Sequence, residues 1–109
     1  MLSLGSTPIY LYSEPTDMRK SYEGLSGLIE SAFSGKLLSG ALFVFVNRRR
    51  TMVKALYWDE DGFAIWGKRL ERGTFKLGVM TDGLLTRREL ALLLEGVEPR
   101  RLNSRFSLS

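Results

Sequence analysis

The stretch that decides the fold is Gly40–Phe75, GALFVFVNRRRTMVKALYWDEDGFAIWGKRLERGTF. It alternates apolar, β-prone runs with short polar turns, a pattern typical of antiparallel strands joined by hairpins. The Asp61-Gly62 pair in the middle turn is a strong hairpin signal, and the first run is apolar at every position, as in a strand covered on both faces. The stretch therefore predicts a meander of three or four strands: Leu42–Val46, Thr51–Trp58, Phe63–Leu70 and Thr74–Leu77.

Upstream of this meander, the residues Ile9–Tyr12 predict a short strand that Pro15 ends. Apolar residues then recur at three- and four-residue spacing, which predicts a helix with one buried face from Asp17 to about Ser34. We expect Thr16 or Asp17 to cap it by accepting an amide bond from its first turn.

Downstream, we interpret residues 80–85 as a loop. Thr86 and Glu89 then fit a capping box, in which each side chain bonds the backbone amide of the other residue. The leucines that follow give a short second helix, and Gly96 and Pro99 lie beyond its end. The last residues are polar and basic, so we expect a flexible tail at 99–109.

These elements predict an α+β fold, an antiparallel β-meander of three to five strands with two helices packed against it. With no internal repeat or linker, residues 1–109 read as a single domain whose core covers about 9–98.

Composition excludes several classes of protein. The chain has no cysteine, so it has no disulfide framework, and no histidine, so it lacks the commonest general base and metal ligand. Its longest uninterrupted apolar run is Ala41–Val46, and its N-terminus has no signal-peptide pattern. We expect a soluble cytoplasmic protein that does not bind a membrane.

The sequence shows no Gly-rich phosphate loop, nucleophile elbow or metal-ligand cluster. Asp59, Glu60 and Asp61 resemble part of a cation loop, but no distal glutamate follows at the required spacing, which favours a solvated turn. We therefore predict that the chain is not an enzyme and holds neither a cofactor nor a metal.

Basic residues concentrate around the predicted hairpins, within an overall charge of +4. Arginines at a hairpin tip suit contact with successive phosphates, although a charged tip also serves solubility alone. Pairing about the 59–62 turn brings Lys54 and Lys68 near each other, and adjacent like charges favour an anionic partner. Arg19 and Lys20 fall in the first turn of the predicted helix, where the helix dipole disfavours cations. The predicted nucleic-acid contacts are Arg48, Arg49, Arg50, Lys54, Lys68, Arg69 and Arg72.

The aromatic residues permit a stacking surface for bases, but core packing explains most of them. Whether Trp58 and Trp66 share a face depends on the register of the hairpin, which the sequence leaves open.

Several blocks of this chain resemble one family in order and spacing. They are Asp17-Met18-Arg19-Lys20, Phe43–Arg50, Lys54–Asp59, Lys68–Phe75 and Leu93–Gly96. They look like the accessory proteins encoded by the second open reading frame, of TnpB type, in bacterial transposable elements of the insertion sequence 66 family. The resemblance runs from about Ile9 to Glu98.

The resemblance implies a non-catalytic accessory factor for DNA transposition, encoded beside a separate transposase that performs the recombination chemistry. We expect two kinds of partner: the transposase and companion proteins of the same element, and, from the basic residues named above, DNA at the element ends. One alternative is a protein–protein adaptor for the transposase that never touches DNA. A second, a nuclease in its own right, needs three carboxylates that converge within reach of a metal. The oligomeric state is left open by the sequence.

Overall fold

The computed structural model describes residues 7–77 and 82–95. It contains five strands and two helices: β1 (Ile9–Leu11), α1 (Tyr22–Ala32), β2 (Leu42–Val46), β3 (Met52–Asp59), β4 (Gly62–Arg69), β5 (Gly83–Leu85) and α2 (Arg87–Glu95).

The strands form one mixed sheet in the order β4-β3-β2-β1-β5. Strands β2, β3 and β4 are the antiparallel meander, while β1 lies parallel to β2, with α1 as the crossover between them. The central strand β2 is buried along its whole length, which explains why the sequence is apolar there without alternation. The predicted α+β fold is confirmed, with one parallel pair that the meander pattern did not predict.

The two faces of the sheet carry separate apolar clusters. Leu25 and Ile29 of α1 pack on one face against Phe43 and Phe45. On the other face, Leu90 and Leu93 of α2 share a cluster with buried residues from β1, β2 and β3 and with Phe75. The sheet is therefore the middle of three layers, with one helix packed on each of its faces.

Two expectations about strands are wrong. Residues 74–77 form no strand, because the segment leaves the sheet to cover one of its faces, and Phe75 becomes fully buried while its amide bonds the Arg50 carbonyl. Conversely, Gly83–Leu85, which we expected to be a loop, is β5 and pairs antiparallel with β1. A three-residue edge strand carries too little periodic signal for recognition from sequence.

The start of the first helix also differs from the expectation. Helix α1 begins at Tyr22, and neither Thr16 nor Asp17 caps it. Thr16 instead continues alongside β2, since its amide donates to the Val46 carbonyl over 2.9 Å. The N-cap residue is Ser21, whose side chain makes no capping bond.

The second helix begins as the capping box predicts. The Thr86 amide donates to Glu89 Oε1 over 2.8 Å, and the Glu89 amide donates to Thr86 Oγ1 over 3.0 Å. The expected end at Gly96 and the basic tail lie outside the described residues. Of the described part of the chain, neither helix is long and apolar enough to cross a membrane.

The hairpin about residues 59–62 is confirmed, but its turn geometry is not centred on Asp61-Gly62. Asp59 pairs with Gly62, so the two central turn residues are Glu60 and Asp61. The left-handed conformation belongs to Glu60, with φ 58°, and not to the glycine.

Candidate functional site

Basic residues gather at one end of the sheet, and a short acidic turn lies at the other end. Strands β1, β2 and β4 finish at the end where β3 starts. The segments that follow these three strands, residues 12–21, 47–51 and 70–77, leave the sheet at this end. We call this the cationic end, and its basic residues are Arg19, Lys20, Arg48, Arg49, Arg50, Lys54, Arg69 and Arg72. The acidic side chains nearest to it along the chain are Asp17, Glu23 and Glu71, and Glu14 is farther away. At the far end of β3 lies the acidic turn, Asp59–Asp61.

Asn47 builds the turn at the tip of the cationic end. Its Oδ1 accepts hydrogen bonds from the amides of Thr51 and Met52, at 2.9 and 3.0 Å, and its Nδ2 donates to Thr51 Oγ1. The Arg50 amide donates back to the Asn47 carbonyl over 3.0 Å. One side chain thus satisfies the amides that a four-residue turn leaves unpaired, which holds the arginines in a fixed loop.

Arg50 lies in the left-handed region with φ 58°, a conformation that costs a non-glycine residue about 1–2 kcal/mol. The segment after β4 crosses beneath it. The Leu70 amide donates to the Thr51 carbonyl and the Phe75 amide to the Arg50 carbonyl, at 2.8 and 2.6 Å. The turn is therefore held from two sides, and Arg72 sits on the same segment.

An open cleft of about 430 Å³ lies between this turn and the chain that leaves β1. It occupies the carboxyl ends of the two parallel strands, the edge where open sheets with parallel strands commonly place ligands. Its lining residues are Pro15, Thr16, Asp17, Met18, Asn47, Arg48 and Arg49.

The wall formed by residues 15–18 is ordered by two local interactions. Thr16 is buried, and its hydroxyl donates to the Glu14 carbonyl over 3.1 Å. Asp17 accepts bonds from the Arg19 guanidinium, the closest at 2.8 Å, and from the Arg19 amide. The hydrogen bonds from Arg19 lower the pKa of Asp17 to about 2, so this carboxyl stays ionised at neutral pH.

The structure places the seven predicted contact residues unequally. Arg48 and Arg49 are exposed at the tip, and Arg72 is exposed beside it. Lys54 reaches across to the other loop, where its Nζ donates to the Lys20 carbonyl over 3.0 Å. Arg69 is exposed, and its guanidinium lies 3.9 Å from Met52 Sδ.

Lys68 is separated from the rest of the set. Lys54 pairs with Gly67 and Lys68 with Val53, so the two lysines are neighbours along the backbone but point to opposite faces. Lys68 Nζ donates to the Leu94 carbonyl in the last turn of α2, 2.9 Å away. The expected approach of the two lysine side chains is wrong, because the register places them one residue out of step.

Sequence reasoning left Arg19 and Lys20 out of the predicted contacts, although they follow directly on the wall of residues 15–18 that faces the 47–50 turn across the cleft. The conflict with a helix dipole was the available signal, and it disappears because both residues precede α1. The register also separates the two tryptophans. Trp58 shares a face with Phe63, whose ring centroid is 5.0 Å from its own, while Trp66 points to the opposite face.

Within residues 7–77 and 82–95, no three acidic side chains come together in a group that could hold a metal ion. The three side chains of the acidic turn are exposed.

Comparison with known proteins identifies the family. A family model described as IS66 Orf2 like protein matches residues 7–104. An uncharacterized protein of Sinorhizobium fredii (strain NBRC 101917 / NGR234), y4jC, is 33% identical over 92 residues, which cover 83% of this chain and 79% of the relative. A second from the same strain, y4hO, is 29% identical over 94 residues, or 84% and 82% of the two chains. No solved structure matches. The chain belongs to the IS66 Orf2-like family, which implies an accessory role in transposition.

Proposed function

We propose that this protein assists transposition by binding the DNA backbone through its cationic end, while a separate transposase of the same element carries out the recombination chemistry. The contacts are salt-sensitive and largely independent of sequence, because phosphates position a protein on DNA without identifying bases. Arg48 and Arg49 are the central contacts.

The observation that carries this proposal is the separation of charge along β3. Its eight residues place the arginine turn and the acidic turn roughly 25 Å apart at 3.3 Å per residue. A polyanion is attracted more strongly to the cationic end than to the end that carries the acidic turn, which orients the protein as it approaches DNA.

The rigidity of the turn supports the same conclusion. Arg48 and Arg49 extend from a loop whose backbone is fixed by Asn47, so binding sacrifices little backbone entropy. Guanidinium groups on such a loop match phosphate oxygens with paired, charge-assisted hydrogen bonds.

The test compares two double variants with equal loss of charge. Arg48→Ala/Arg49→Ala removes two cations at the tip, and Lys36→Ala/Arg88→Ala removes two exposed cations at the end where β1 and β2 begin. Binding to a labelled duplex of element-end sequence and to a scrambled duplex is measured at several salt concentrations. All four residues are exposed, so both variants should keep the stability of the parent.

The tip variant should lose affinity for both duplexes, and the slope of log affinity against log salt should fall by about 2, near one unit per lost phosphate contact. The control should behave like the parent. Equal losses in the two variants would mean that net charge alone governs binding, and full retention by the tip variant would refute the assignment.

The adaptor function is the second candidate, and exposed apolar side chains favour it. Leu84 is 68% exposed on the edge strand β5, opposite Tyr10, and Leu38 is 63% exposed in the loop before β2. Two results together would select the adaptor function. The protein would bind the transposase and lose this binding in Leu84→Ser, and it would not bind DNA at low salt.

A further inference from the structure

The two edges of the sheet differ greatly. Strand β5 forms one edge with only three residues, so it presents few unpaired backbone groups to a strand of another molecule. Strand β4 forms the other edge with eight residues, and in the described part of the chain no strand pairs with its outer side. Its apolar positions, from Phe63 to Trp66, are only half buried.

The hydrogen-bonding side of β4 can be read from its pairing with β3. The Leu70 amide bonds the Thr51 carbonyl directly opposite, so the bonded pairs of this ladder alternate from that point. The residues 62, 64, 66 and 68 therefore bond β3. The amides and carbonyls of Phe63, Ile65, Gly67 and Arg69 point outward, toward the open edge.

We propose that β4 pairs with β4 of a second copy of this chain, antiparallel about a two-fold axis at Ile65, to form a continuous ten-stranded sheet. Ile65 then bonds its own counterpart. Positions equally far before and after the axis lie opposite each other, so Phe63 falls opposite Gly67 of the second copy. Both are odd positions with outward backbone groups, and directly opposite residues share a face of the sheet.

Three kinds of complementarity favour this register. The Phe63 ring covers the exposed backbone of Gly67, and the small side chain of Ala64 faces the large one of Trp66. Asp61, the turn residue just before β4, comes next to Arg69 of the second copy, which brings the acidic turn of one copy beside the basic end of β4 in the other, twice in each dimer. Shifting the pairing by two residues in either direction leaves Asp61 without Arg69 opposite it.

The area available to two eight-residue strands belongs to the range of weak complexes, below about 1,200 Å². We therefore expect a dissociation constant on the order of 10 µM, comparable with other small interfaces. Sedimentation equilibrium of the full chain between 1 and 200 µM, concentrations chosen to bracket that value, should show a monomer–dimer equilibrium.

Because the chain contains no cysteine, single cysteines can locate the axis. Opposite residues of a bonded pair have Cα atoms about 5.5 Å apart, within disulfide range. On mild oxidation, Ile65→Cys should form a disulfide dimer at least tenfold faster than Ser31→Cys, an exposed control on α1. Fastest cross-linking by Ala64→Cys or Trp66→Cys would overturn the register, and a monomer at 200 µM would overturn the dimer.

Charge reversal tests the same register without oxidation. Asp61→Arg and Arg69→Asp should each raise the dissociation constant about tenfold, since each creates two like-charge contacts in the dimer. The double variant should return it to within about threefold of the parent value. A double variant as weak as the single ones would contradict the pairing.

The dimer carries a consequence for DNA that rests on the proposed function. A two-fold axis perpendicular to the sheet sends the two cationic ends in opposite directions, so that one dimer would hold two duplex segments. The cross-linking experiment contains no DNA, and failure of the dimer is therefore distinguishable from failure of DNA binding.

Discussion

The two turns at the ends of β3 share one backbone feature and differ in almost everything else. Arg50 in one and Glu60 in the other both have φ 58°. In the basic turn, the Asn47 side chain makes three hydrogen bonds, and the segment that ends at Phe75 packs beneath the loop. In the acidic turn, the side chains of Asp59, Glu60 and Asp61 make no hydrogen bond with the residues that the structure describes.

A left-handed residue by itself therefore says little about function. At the acidic end it is what a two-residue hairpin requires. At the cationic end the same conformation is held by side-chain and tertiary contacts, as expected where a loop must present its arginines in a fixed arrangement. Three changes test this difference, from the largest expected effect to the smallest, and a fourth tests the loop that faces the basic turn across the cleft.

Phe75→Ala should have the largest effect. Phe75 is fully buried beside the basic turn, so the loss of its ring should lower the free energy of unfolding by about 4 kcal/mol. Phe63→Ala, at a half-buried ring near the acidic turn, should cost about 2 kcal/mol by the same reasoning. Urea denaturation measures both, and equal losses would remove the proposed difference in support.

Asn47→Ala should lower the free energy of unfolding by about 2 kcal/mol, because two backbone amides lose their acceptor. The matched change in the other turn, Asp59→Ala, removes an exposed side chain without a hydrogen bond and should stay within about 0.5 kcal/mol. The amides of Thr51 and Met52 should also exchange faster in Asn47→Ala. Unchanged exchange would show that the loop is fixed by other contacts.

Glu60→Gly should raise the free energy of unfolding by about 0.5 kcal/mol, because glycine adopts the left-handed conformation without strain. The gain is partly offset because glycine also gives the unfolded chain more conformational entropy. Glu60→Ala keeps the strain and should show no gain. If alanine stabilises as much as glycine, relief of acidic repulsion and not backbone strain is the cause.

Arg19→Ala should move the pKa of Asp17 from about 2 back toward 3.8, because the guanidinium bonds that depress it are lost. In the parent, the interaction is fully present above pH 3.8 and is lost as the pH falls through about 2. Titration of the Asp17 carboxyl carbon by NMR measures the shift. A midpoint near 3.8 in the parent would show that the pair does not persist in solution.

Patterns within a few residues predicted what local chemistry controls. The capping box at Thr86 and Glu89 is confirmed because both of its bonds span three residues. The predicted start of α1 is wrong because the Thr16 amide bonds the Val46 carbonyl, thirty positions away. A local sequence pattern contains no information about such a distant partner. The strand β5 was missed for the same reason, since only its pairing with β1 defines it.

The sequence by itself determined the α+β class, the hairpins, the second helix and the concentration of arginines in the 47–50 turn, because periodicity and turn chemistry act over neighbouring residues. Only the tertiary structure decided which charges share a surface. It placed Arg19 and Lys20 just beyond the wall that faces the arginine turn across the cleft, and it placed Lys68 on the opposite face of the sheet from Lys54, where it bonds the Leu94 carbonyl. The reason is register, since a shift of one residue along a strand reverses the face of every side chain, and long-range packing fixes that register.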